Sequence, residues 1–417
     1  MYTKVICIVL LLSLLSCSKN NSTVLTNTNN TIIGSTDTHT DTLRLIQDST
    51  VNQSLTLQKA IDSCSAAGGG TLVLTRGTYM TGPIYMKSNV TLQLDTLSRL
   101  LASNVMTDFT VGGKTVNLIN GSNSGNAAIQ NVTIKGKGII DGNGAPWWAA
   151  YTANNSISRP RLIYILYCTN LTLDGITLTN SPSFHFVPNQ CKHVIVNNVK
   201  ILAPSNSPNT DGIDPSDCDT VSITNCLIDN GDDDIAIKGG RINGLLSTGC
   251  SNITVSNCTF LHGHGLSVGS ETDDGVSNLT VTNCSFTGTT NGIRVKSLSG
   301  LGGLIQQLQY SNITMTNVTN PIVIDLNYNG TSSYPADIPS VNGFSINQLT
   351  VTGSANAGSL AGLSNSILQN ITLSNINITA KTGLVLTNAS GVTITNAVIN
   401  VSSGKPIIAT NAQGTGF

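Results

Sequence analysis

The sequence contains few charged residues and few aromatic ones. Only 10% of its 417 residues are Asp, Glu, Lys or Arg, and only 4% are Phe, Trp or Tyr. The net charge is −1, so neither sign is in enough excess to attract a charged polymer to the whole surface. We therefore expect no nucleic-acid partner, and any charged ligand has to be recognised by a local group of residues.

Metal-binding patterns are also missing. The sequence has no CxxC pair and no cluster of His and Cys at the spacing of metal ligands. We therefore expect no structural metal.

The N-terminus is predicted to direct export. An apolar run from Val5 to Leu15 follows Lys4, is too short to span a bilayer and is typical of a signal peptide. The run ends in Leu14-Leu15-Ser16-Cys17, which resembles a bacterial lipobox, in which the Cys becomes the lipidated first residue of the mature chain. Ordinary cleavage nearby is the alternative.

These features predict how the N-terminal segment is organised and where the protein is located. Residues 1–17 are a lipoprotein-type signal peptide, and residues 18–42, rich in Ser, Thr and Asn, are a flexible tether. The exported chain is then anchored by Cys17 to a bacterial outer membrane, on its surface or its periplasmic face. Without lipidation it is secreted.

A short repeat dominates the rest of the sequence. Each copy alternates apolar residues with Thr or Ser, which is typical of a half-buried strand. Asn or Gly beside most copies tolerates the left-handed backbone of a sharp corner. Recurrence every 20 to 40 residues or so predicts an all-β solenoid, a parallel β-helix whose coils share one core. The copies are residues 89–92, 131–134, 170–173, 220–223, 252–255, 278–281, 312–315, 370–373 and 391–394.

We expect a single domain over residues 43–417, because no break divides the repeats. Residues 54–67 carry Leu57, Ala60 and Ile61 at helical spacing and are predicted to form a short helix that caps the N-terminal end of the solenoid. Three glycines at 68–70 end this helix.

Eight cysteines remain when Cys7 and Cys17 are set aside. Disulfides are compatible with an exported protein. However, Cys226, Cys258 and Cys284 occupy the same place in successive repeats, and equivalent positions of stacked coils lie about 4.8 Å apart. We therefore predict that these three form a buried ladder of thiols.

Four polar motifs lie about one repeat apart, each attached to a strand-like run. The apolar anchors of these runs are Ile213, Ile235, Leu266 and Ile293. If one repeat is one coil, the anchors stack and the motifs become neighbours on a single wall. The motifs are Asn209-Thr210-Asp211, Asp232-Asp233-Asp234, Gly263-His264-Gly265 and Arg294-Val295-Lys296.

The carboxylates Asp211, Asp232 and Asp233 would then lie one coil apart. Hydrolysis of a glycosidic bond takes one protonated acid and one carboxylate that activates water or attacks the sugar. Crowding of like charges gives carboxylates different pKa values, so one residue type can fill both roles. Each motif alone is also typical of a turn, and consecutive Asp residues could bind calcium. Their stacking beside His264 favours a hydrolytic site.

The remaining polar residues suit an acidic sugar. His264, between two glycines, could hydrogen-bond the acid and hold its proton. Arg294 and Lys296 alternate with apolar residues, so both point out of the same strand face, where paired cations suit a carboxylate. Tyr328 lies roughly one coil further on and could contact the same sugar.

In order and spacing, the four motifs resemble the signature motifs of the polygalacturonases, glycoside hydrolase family 28. Further stretches agree, and the resemblance covers residues 55 to about 350. It implies a right-handed parallel β-helix and hydrolysis of α-1,4-linked galacturonate in pectin with inversion, without a cofactor. The additional stretches are Ile140-Asp141-Gly142-Asn143-Gly144 with Trp147-Trp148, Asn180-Ser181-Pro182 before Phe184-His185, and Gly269-Ser270-Glu271.

The resemblance also implies roles for individual residues. Asp232 resembles the general acid, and Asp211 and Asp233 resemble the pair that activates the water. His264 resembles the residue that supports the acid. The substrate-binding residues that it implies are Asn209, Arg294, Lys296 and Tyr328.

One position departs from the family pattern. Asp234 stands where many relatives have Cys, so a disulfide starting there is absent. The third consecutive carboxylate leaves the register open between Asp232/Asp233 and Asp233/Asp234. The preceding Gly231 and the following Ile-Ala-Ile favour the first pair.

Other functions remain open from the sequence. A hydrolase of the same fold could cut rhamnogalacturonan or xylogalacturonan, although the paired cations favour galacturonate beside the cut. A calcium-dependent pectate lyase and a solenoid that only binds polysaccharide are further alternatives. Endo- or exo-action depends on loops at the ends of the groove, and the resemblance favours endo-action. We expect a monomer that contacts a membrane only through its lipid anchor.

Overall fold

The structure is a computed structural model. It describes the backbone of residues 24–27, 30–37 and 40–46, and residues 51–121, 127–241, 247–329 and 336–417 with their side chains. The helices are α1 (Ser54–Ala66), a 3-10 helix (Met106–Phe109) and α2 (Ala145–Ala153). The strands are β1 (Val24–Asn27), β2 (Asn30–Asp37), β3 (Thr40–Ile46), β4 (Gly70–Leu74), β5 (Gly77–Thr81), β6 (Ile84–Tyr85), β7 (Val90–Leu94), β8 (Ser98–Ala102), β9 (Thr110–Val111), β10 (Lys114–Thr115), β11 (Ile119–Asn120), β12 (Ile129–Gly136), β13 (Ile139–Asp141), β14 (Ile163–Leu166), β15 (Cys168–Asp174), β16 (Thr177–Thr179), β17 (Phe186–Asn189), β18 (Lys192–Asn197), β19 (Lys200–Leu202), β20 (Asp219–Thr224), β21 (Leu227–Asn230), β22 (Ile235–Ile237), β23 (Cys250–Ser256), β24 (Thr259–His262), β25 (Leu266–Val268), β26 (Val276–Thr287), β27 (Asn291–Lys296), β28 (Leu304–Thr316), β29 (Asn320–Asp325), β30 (Ser340–Ala361), β31 (Leu368–Val401) and β32 (Ile407–Thr415).

Three parallel faces form a β-helix, which confirms the predicted fold class. Within these faces, each strand pairs in parallel with the equivalent strand of the next coil. The long strands β26, β28, β30 and β31 turn corners and contribute to more than one face. Face A starts with β4, β7, β12, β15, β18, β20 and β23. Face B starts with β5, β8, β13, β16, β19, β21 and β24. Face C contains β6, β11, β14, β17, β22, β25, β27 and β29.

The four predicted anchors are stacked in register on face C. Ile213 pairs with Ile235, Ile235 with Leu266, and Leu266 with Ile293. All four side chains are fully buried in the core of the solenoid. The prediction that one repeat is one coil is therefore confirmed.

Asparagines shape many of the corners. Most residues other than glycine with a positive φ are Asn, and Asn89, Asn131 and Asn170 have φ values of 62°, 54° and 60°. Their side chains bond from coil to coil: Asn131 Nδ2 donates to Asn89 Oδ1, and Asn170 Nδ2 donates to Asn131 Oδ1, both at 2.8 Å. The Asn of each repeat thus satisfies a left-handed corner and ties it to the next coil.

The predicted helix is present, and a second helix was not expected. Helix α1 buries Leu57, Ala60, Ile61 and Cys64 in the core beside the first coils, and Gly68 follows it with a φ of 93°. Helix α2 contains Trp147 and Trp148, and Trp147 packs edge-on against Phe109. The sequence prediction missed α2, because its apolar residues run without the spacing that marks one helical face.

Residues 18–42, predicted to be a flexible tether, contain the strands β1 and β2 and the first residues of β3. Strands β1, β2 and β3 form an antiparallel meander, and β3 then pairs in parallel with β4. Alternating Thr and apolar residues in this segment favour strands, whereas its polar composition alone had indicated disorder. The signal peptide and Cys17 lie outside the described residues. Among the described residues, no helix is long and apolar enough to cross a membrane.

The cysteine ladder is confirmed. Cys226, Cys258 and Cys284 are buried free thiols at equivalent positions of successive coils. A second ladder, which the sequence prediction missed, contains Cys168, Cys191, Cys218 and Cys250 at the edge of face A.

Candidate active site

A pocket of about 450 Å³ opens on face C around the coils of β22, β25 and β27. All the residues that were predicted from the sequence to act in catalysis or substrate binding line this pocket, although they are far apart along the chain. The lining residues are Phe184, Asn209, Asp211, Asp232, Asp233, Lys238, His264, Ser270, Glu271, Thr290, Asn291, Arg294, Lys296 and Tyr328.

Strand register explains why these residues converge. Asp211, Asp233 and His264 each lie two residues before a stacked anchor, so they form one column on three successive coils. Adjacent members of such a column are about 4.8 Å apart at the backbone. Arg294 and Lys296 flank the buried Val295 on the next coil and therefore point out of the same strand face.

Asp232 is held at both carboxylate oxygens. His264 Nδ1 lies 3.1 Å from its Oδ1, which also accepts the backbone N–H of Asp233 at 2.9 Å. Asn209 Nδ2 lies 3.4 Å from its Oδ2. Burial raises the pKa of Asp232. The hydrogen bond and charge of His264, the Asp233 amide and the charge of Lys296 together lower it by more, so the net pKa is below the ordinary value.

Asp233 forms the ionic centre of the pocket. Its side chain is only 2% exposed, and its Oδ2 lies 2.6 Å from Lys296 Nζ. Its Oδ1 accepts a hydrogen bond from Ser267 Oγ at 2.9 Å and lies 3.6 Å from Arg294 Nη1. Two cations and a hydroxyl therefore compensate this buried carboxylate.

Asp211 is the least compensated carboxylate of the column. It is 4% exposed, and its Oδ1 has no hydrogen-bond partner among the described residues. Burial, followed by the charges of Asp214 and Asp232, raises the pKa of Asp211 well above the usual range for Asp. Neighbouring carboxylates thus have pKa values that are shifted in opposite directions.

Asp234 faces away from the pocket. It is fully buried, and its Oδ2 accepts the backbone N–H of Gly265 at 2.9 Å. Burial raises its pKa well above the ordinary value. The pocket therefore contains Asp232 and Asp233. This is the pair that Gly231 and the Ile-Ala-Ile run favoured in the sequence.

Tyr328 covers the two cations. Its ring centroid lies 5.2 Å from Arg294 Cζ and 5.5 Å from Lys296 Nζ. Its backbone N–H donates to the carbonyl of Ser297 at 3.0 Å. The ring thus stands at the edge of the pocket where a sugar carboxylate would meet the cations.

Arg159 was missed by the sequence prediction. Its Nη2 donates to Asn209 Oδ1 at 2.6 Å, and its Nη1 donates to the carbonyls of Pro182 and Pro208. Because a guanidinium only donates, it fixes the amide oxygen of Asn209 toward itself and leaves Nδ2 directed at Asp232. No local pattern marks this residue, since it reaches the site from a side loop.

Lys238 and Asp214 were also missed by the sequence prediction, although the alternation of residues along their strands could have revealed them. Lys238 Nζ lies 3.0 Å from Asp214 Oδ2 and 4.7 Å from the ring centroid of Phe184. Burial lowers the pKa of Lys238, but the charges of Asp214 and Glu271 raise it further, and the net shift is upward. Both residues alternate with buried anchors on the motif strands, so the two-residue period could have found them.

A metal ion fits the pocket poorly. Asp232, Asp233 and His264 each offer a ligand atom, and these atoms lie within 4.8 Å of one another. However, Lys296 and Arg294 already supply positive charge to Asp233. Calcium prefers six to eight oxygen ligands, and an imidazole nitrogen is not among them. The calcium alternative therefore receives no support from this geometry.

Clustered carboxylates beside two cations, in a groove on a parallel β-helix, define a glycoside hydrolase. Residues 64–403 match the family described as Glycosyl hydrolases family 28. The chain belongs to this family.

Relatives of known type agree with this assignment. The chain is 37% identical over 209 residues to a probable polygalacturonase of Arabidopsis thaliana, which covers 49% of this chain and 43% of that protein. It is 34% identical over 294 residues to an endo-polygalacturonase of Pectobacterium carotovorum subsp. carotovorum. The matched region covers 66% of this chain and 71% of that protein. A solved polygalacturonase from Erwinia carotovora ssp. carotovora matches with a TM-score of 0.72 and 29% identity, over 88% of this chain and 96% of that one.

The relatives differ from this chain in length and from one another in cutting mode. The chain spans about half the length of several curated relatives, with 43%, 54% and 40% covered in three of them. Exopolygalacturonases are among the matches as well as endo-acting enzymes.

Proposed function

We propose that the protein is a polygalacturonase that hydrolyses α-1,4-galacturonosyl linkages of polygalacturonate, the backbone of pectin, with inversion. The observation that carries this proposal is one pocket in which Asp211, Asp232 and Asp233 face Arg294 and Lys296. Carboxylates supply acid and base, and the cations bind the carboxylate of the sugar beside the cut. No cofactor takes part.

Asp232 is the general acid in this mechanism. It donates a proton to the glycosidic oxygen as the bond to the sugar breaks. His264 Nδ1 lies 3.1 Å from Asp232 Oδ1, close enough to donate a proton to it. A bound polyanion excludes water and adds negative charge, and both effects raise the pKa of a carboxyl group, which moves the proton toward Asp232.

Asp211 and Asp233 activate the water. As adjacent members of one column, they can share a water that attacks the anomeric carbon from the face opposite the leaving oxygen. A single displacement of this kind inverts the configuration. The raised pKa of Asp211 implies that, as the pH falls, it is protonated and thus inactivated at a higher pH than an ordinary Asp.

Endo-action is part of the proposal. The pocket lies within face C, with β6, β11, β14 and β17 on one side and β29 and the paired segments of β30, β31 and β32 on the other. A polymer can therefore continue along the wall in both directions over the described residues. A groove that is closed at one end would instead restrict cutting to chain ends.

A time course of product sizes from polygalacturonate tests the function and the cutting mode together. We expect new reducing ends in the presence of a chelator, no ultraviolet-absorbing unsaturated products, and oligomers of intermediate length early in the reaction. Monomer or dimer from the start would indicate exo-action. Faster release from rhamnogalacturonan than from homogalacturonan would reject the proposed substrate.

Replacing His264 with Gln is expected to lower kcat about 10- to 100-fold, since an amide can donate to Asp232 but cannot hold its proton. His262 provides a matched control, because its Nδ1 also contacts an aspartate, Asp229 Oδ1 at 2.7 Å, but at an exposed position. His262→Gln should leave kcat within about twofold. Equal losses in the two variants would argue against a role for His264 in proton transfer.

Export and anchoring through Cys17 remain part of the proposed function, together with a monomeric state and the division at residues 17 and 42. Cys17→Ser is expected to move the protein from the membrane fraction to the soluble exported fraction, because an acyl chain is what holds it. Fractionation of cells that express each form measures this. An unchanged distribution would reject lipidation at Cys17.

A further inference from the structure

The wall that carries the acid column continues upstream, and its next charged residue is Arg161. The anchor Ile163 pairs with Phe186, and Phe186 pairs with Ile213. Arg161 stands two residues before Ile163, as Asp211 stands two residues before Ile213. It therefore belongs to the same column as the acids, two coils or roughly 10 Å from Asp211 at the backbone.

Aromatic rings hold the Arg161 guanidinium on this wall. Its Cζ lies 4.9 Å from the ring centroid of Tyr164 and 5.5 Å from that of Phe184. Phe184 also lines the catalytic pocket, so the two regions are continuous. The backbone is fixed as well, since Arg161 N–H donates to Asn117 Oδ1 at 3.0 Å. Such a group needs little reorganisation to bind a ligand.

The Arg161 guanidinium contacts no carboxylate directly among the described residues; its charge reaches Asp214, where it opposes the rise in pKa that burial causes. No ion pair or side-chain hydrogen bond of this group exists within the described residues, whereas Arg99 and Arg241 lie against Asp141 and Asp337. All its N–H donors are therefore available, and it is only partly exposed. A stacked, unpaired guanidinium on a groove wall is suited to a planar carboxylate, which it can bind through two parallel hydrogen bonds.

We propose that Arg161, supported by Tyr164 and Phe184, is a binding site for a second carboxylate of the polysaccharide. Arg161 lies on the N-terminal side of the acids along face C, and Arg294 and Lys296 lie on the C-terminal side. Substrate carboxylates are therefore held on both sides of the bond that is cut. This inference rests on the proposed action on polygalacturonate. It predicts that substrates long enough to reach Arg161 are bound in one register, and shorter ones are not.

The first test compares Arg161→Gln with the unaltered protein on polygalacturonate and on the shortest oligogalacturonate that is still cleaved. We expect kcat/KM on the polymer to fall about 10- to 100-fold, mainly through KM, with little change on the short oligomer. Arg76→Gln, an exposed arginine in the turn between faces A and B, should change neither. An unchanged KM for the polymer, or equal losses on both substrates, would overturn the proposal.

The second test measures binding without turnover, in proteins that also carry Asp232→Asn. Polygalacturonate and its carboxyl-reduced, uncharged form are compared by calorimetry, with and without Arg161→Gln. We expect the substitution to weaken binding of the charged polymer about 10-fold or more and to leave the uncharged form unaffected. If the unaltered protein binds polygalacturonate but does not cut it, the proposed function fails while this result still decides on Arg161. Equal affinity of the two proteins for the charged polymer would reject the site.

Discussion

Asp232→Asn is expected to lower kcat on polygalacturonate by about a thousandfold or more, because an amide cannot protonate the leaving oxygen. Its near-isosteric shape should preserve the acceptor for the Asp233 amide, whereas its NH2 group, which only donates, gives up the long contact with Asn209 Nδ2. Folding and affinity for the polymer should therefore survive. Rates of reducing-end formation and a binding isotherm measure the two effects separately.

A substrate with an activated leaving group sharpens this experiment. Fluoride leaves without protonation, so Asp232→Asn should lose far less activity on α-galacturonosyl fluoride than on the polymer. Asp211→Asn, which removes part of the base, should lose activity on both. In the free site the pKa of Asp211 is raised and that of Asp232 is lowered. The alternative in which Asp211 is the acid and Asp232 belongs to the base is therefore tested by the same experiment. If Asp211→Asn, and not Asp232→Asn, kept its activity on α-galacturonosyl fluoride, the two roles would have to be exchanged.

Lys296→Met is expected to reduce kcat/KM by about 100- to 10,000-fold and to destabilise the fold by roughly 3–5 kcal/mol. Lys296 is 8% exposed, and its Nζ lies 2.6 Å from Asp233 Oδ2. The substitution removes a ligand for the sugar carboxylate and leaves Asp233 buried with only the more distant Arg294, at 3.6 Å. Kinetics and denaturant titration measure the two losses.

Lys200→Met is the matched control for this prediction. Lys200 is an exposed cation on β19 of face B, so its loss should cost less than about 0.5 kcal/mol and leave kcat/KM unchanged. Lys296→Arg should recover much of the stability, because it restores the charge. Full activity of Lys296→Met would remove this residue from substrate binding.

The coil-forming pattern was readable from the sequence because a parallel β-helix repeats one local rule. The anchors Ile213, Ile235, Leu266 and Ile293 were expected to stack, and their register bears this out. Once that register is known, the convergence of residues two positions before each anchor follows from geometry. In this fold, the local sequence repeat therefore also predicts which residues are neighbours in the tertiary structure.

Side loops and the N-terminal strands escaped prediction for physical reasons. Arg159 reaches Asn209 through a fold-specific path that no period encodes. Helix α2 lacks an amphipathic stripe, and β1 to β3 are polar segments whose pairing is decided by the strands beside them. Asp214 and Lys238 were available to the two-residue period but stood outside the four motifs.

The division of the pocket among successive coils separates two kinds of change. No coil supplies more than a few of its groups, and each group lies on a strand of face C or within a few residues of one, where the coils above and below set the strand's position. Insertions in the connecting loops can therefore lengthen, roof over or narrow the cleft while the chemistry stays in place. New specificities are accessible to such a scaffold at its edges, without rebuilding its centre.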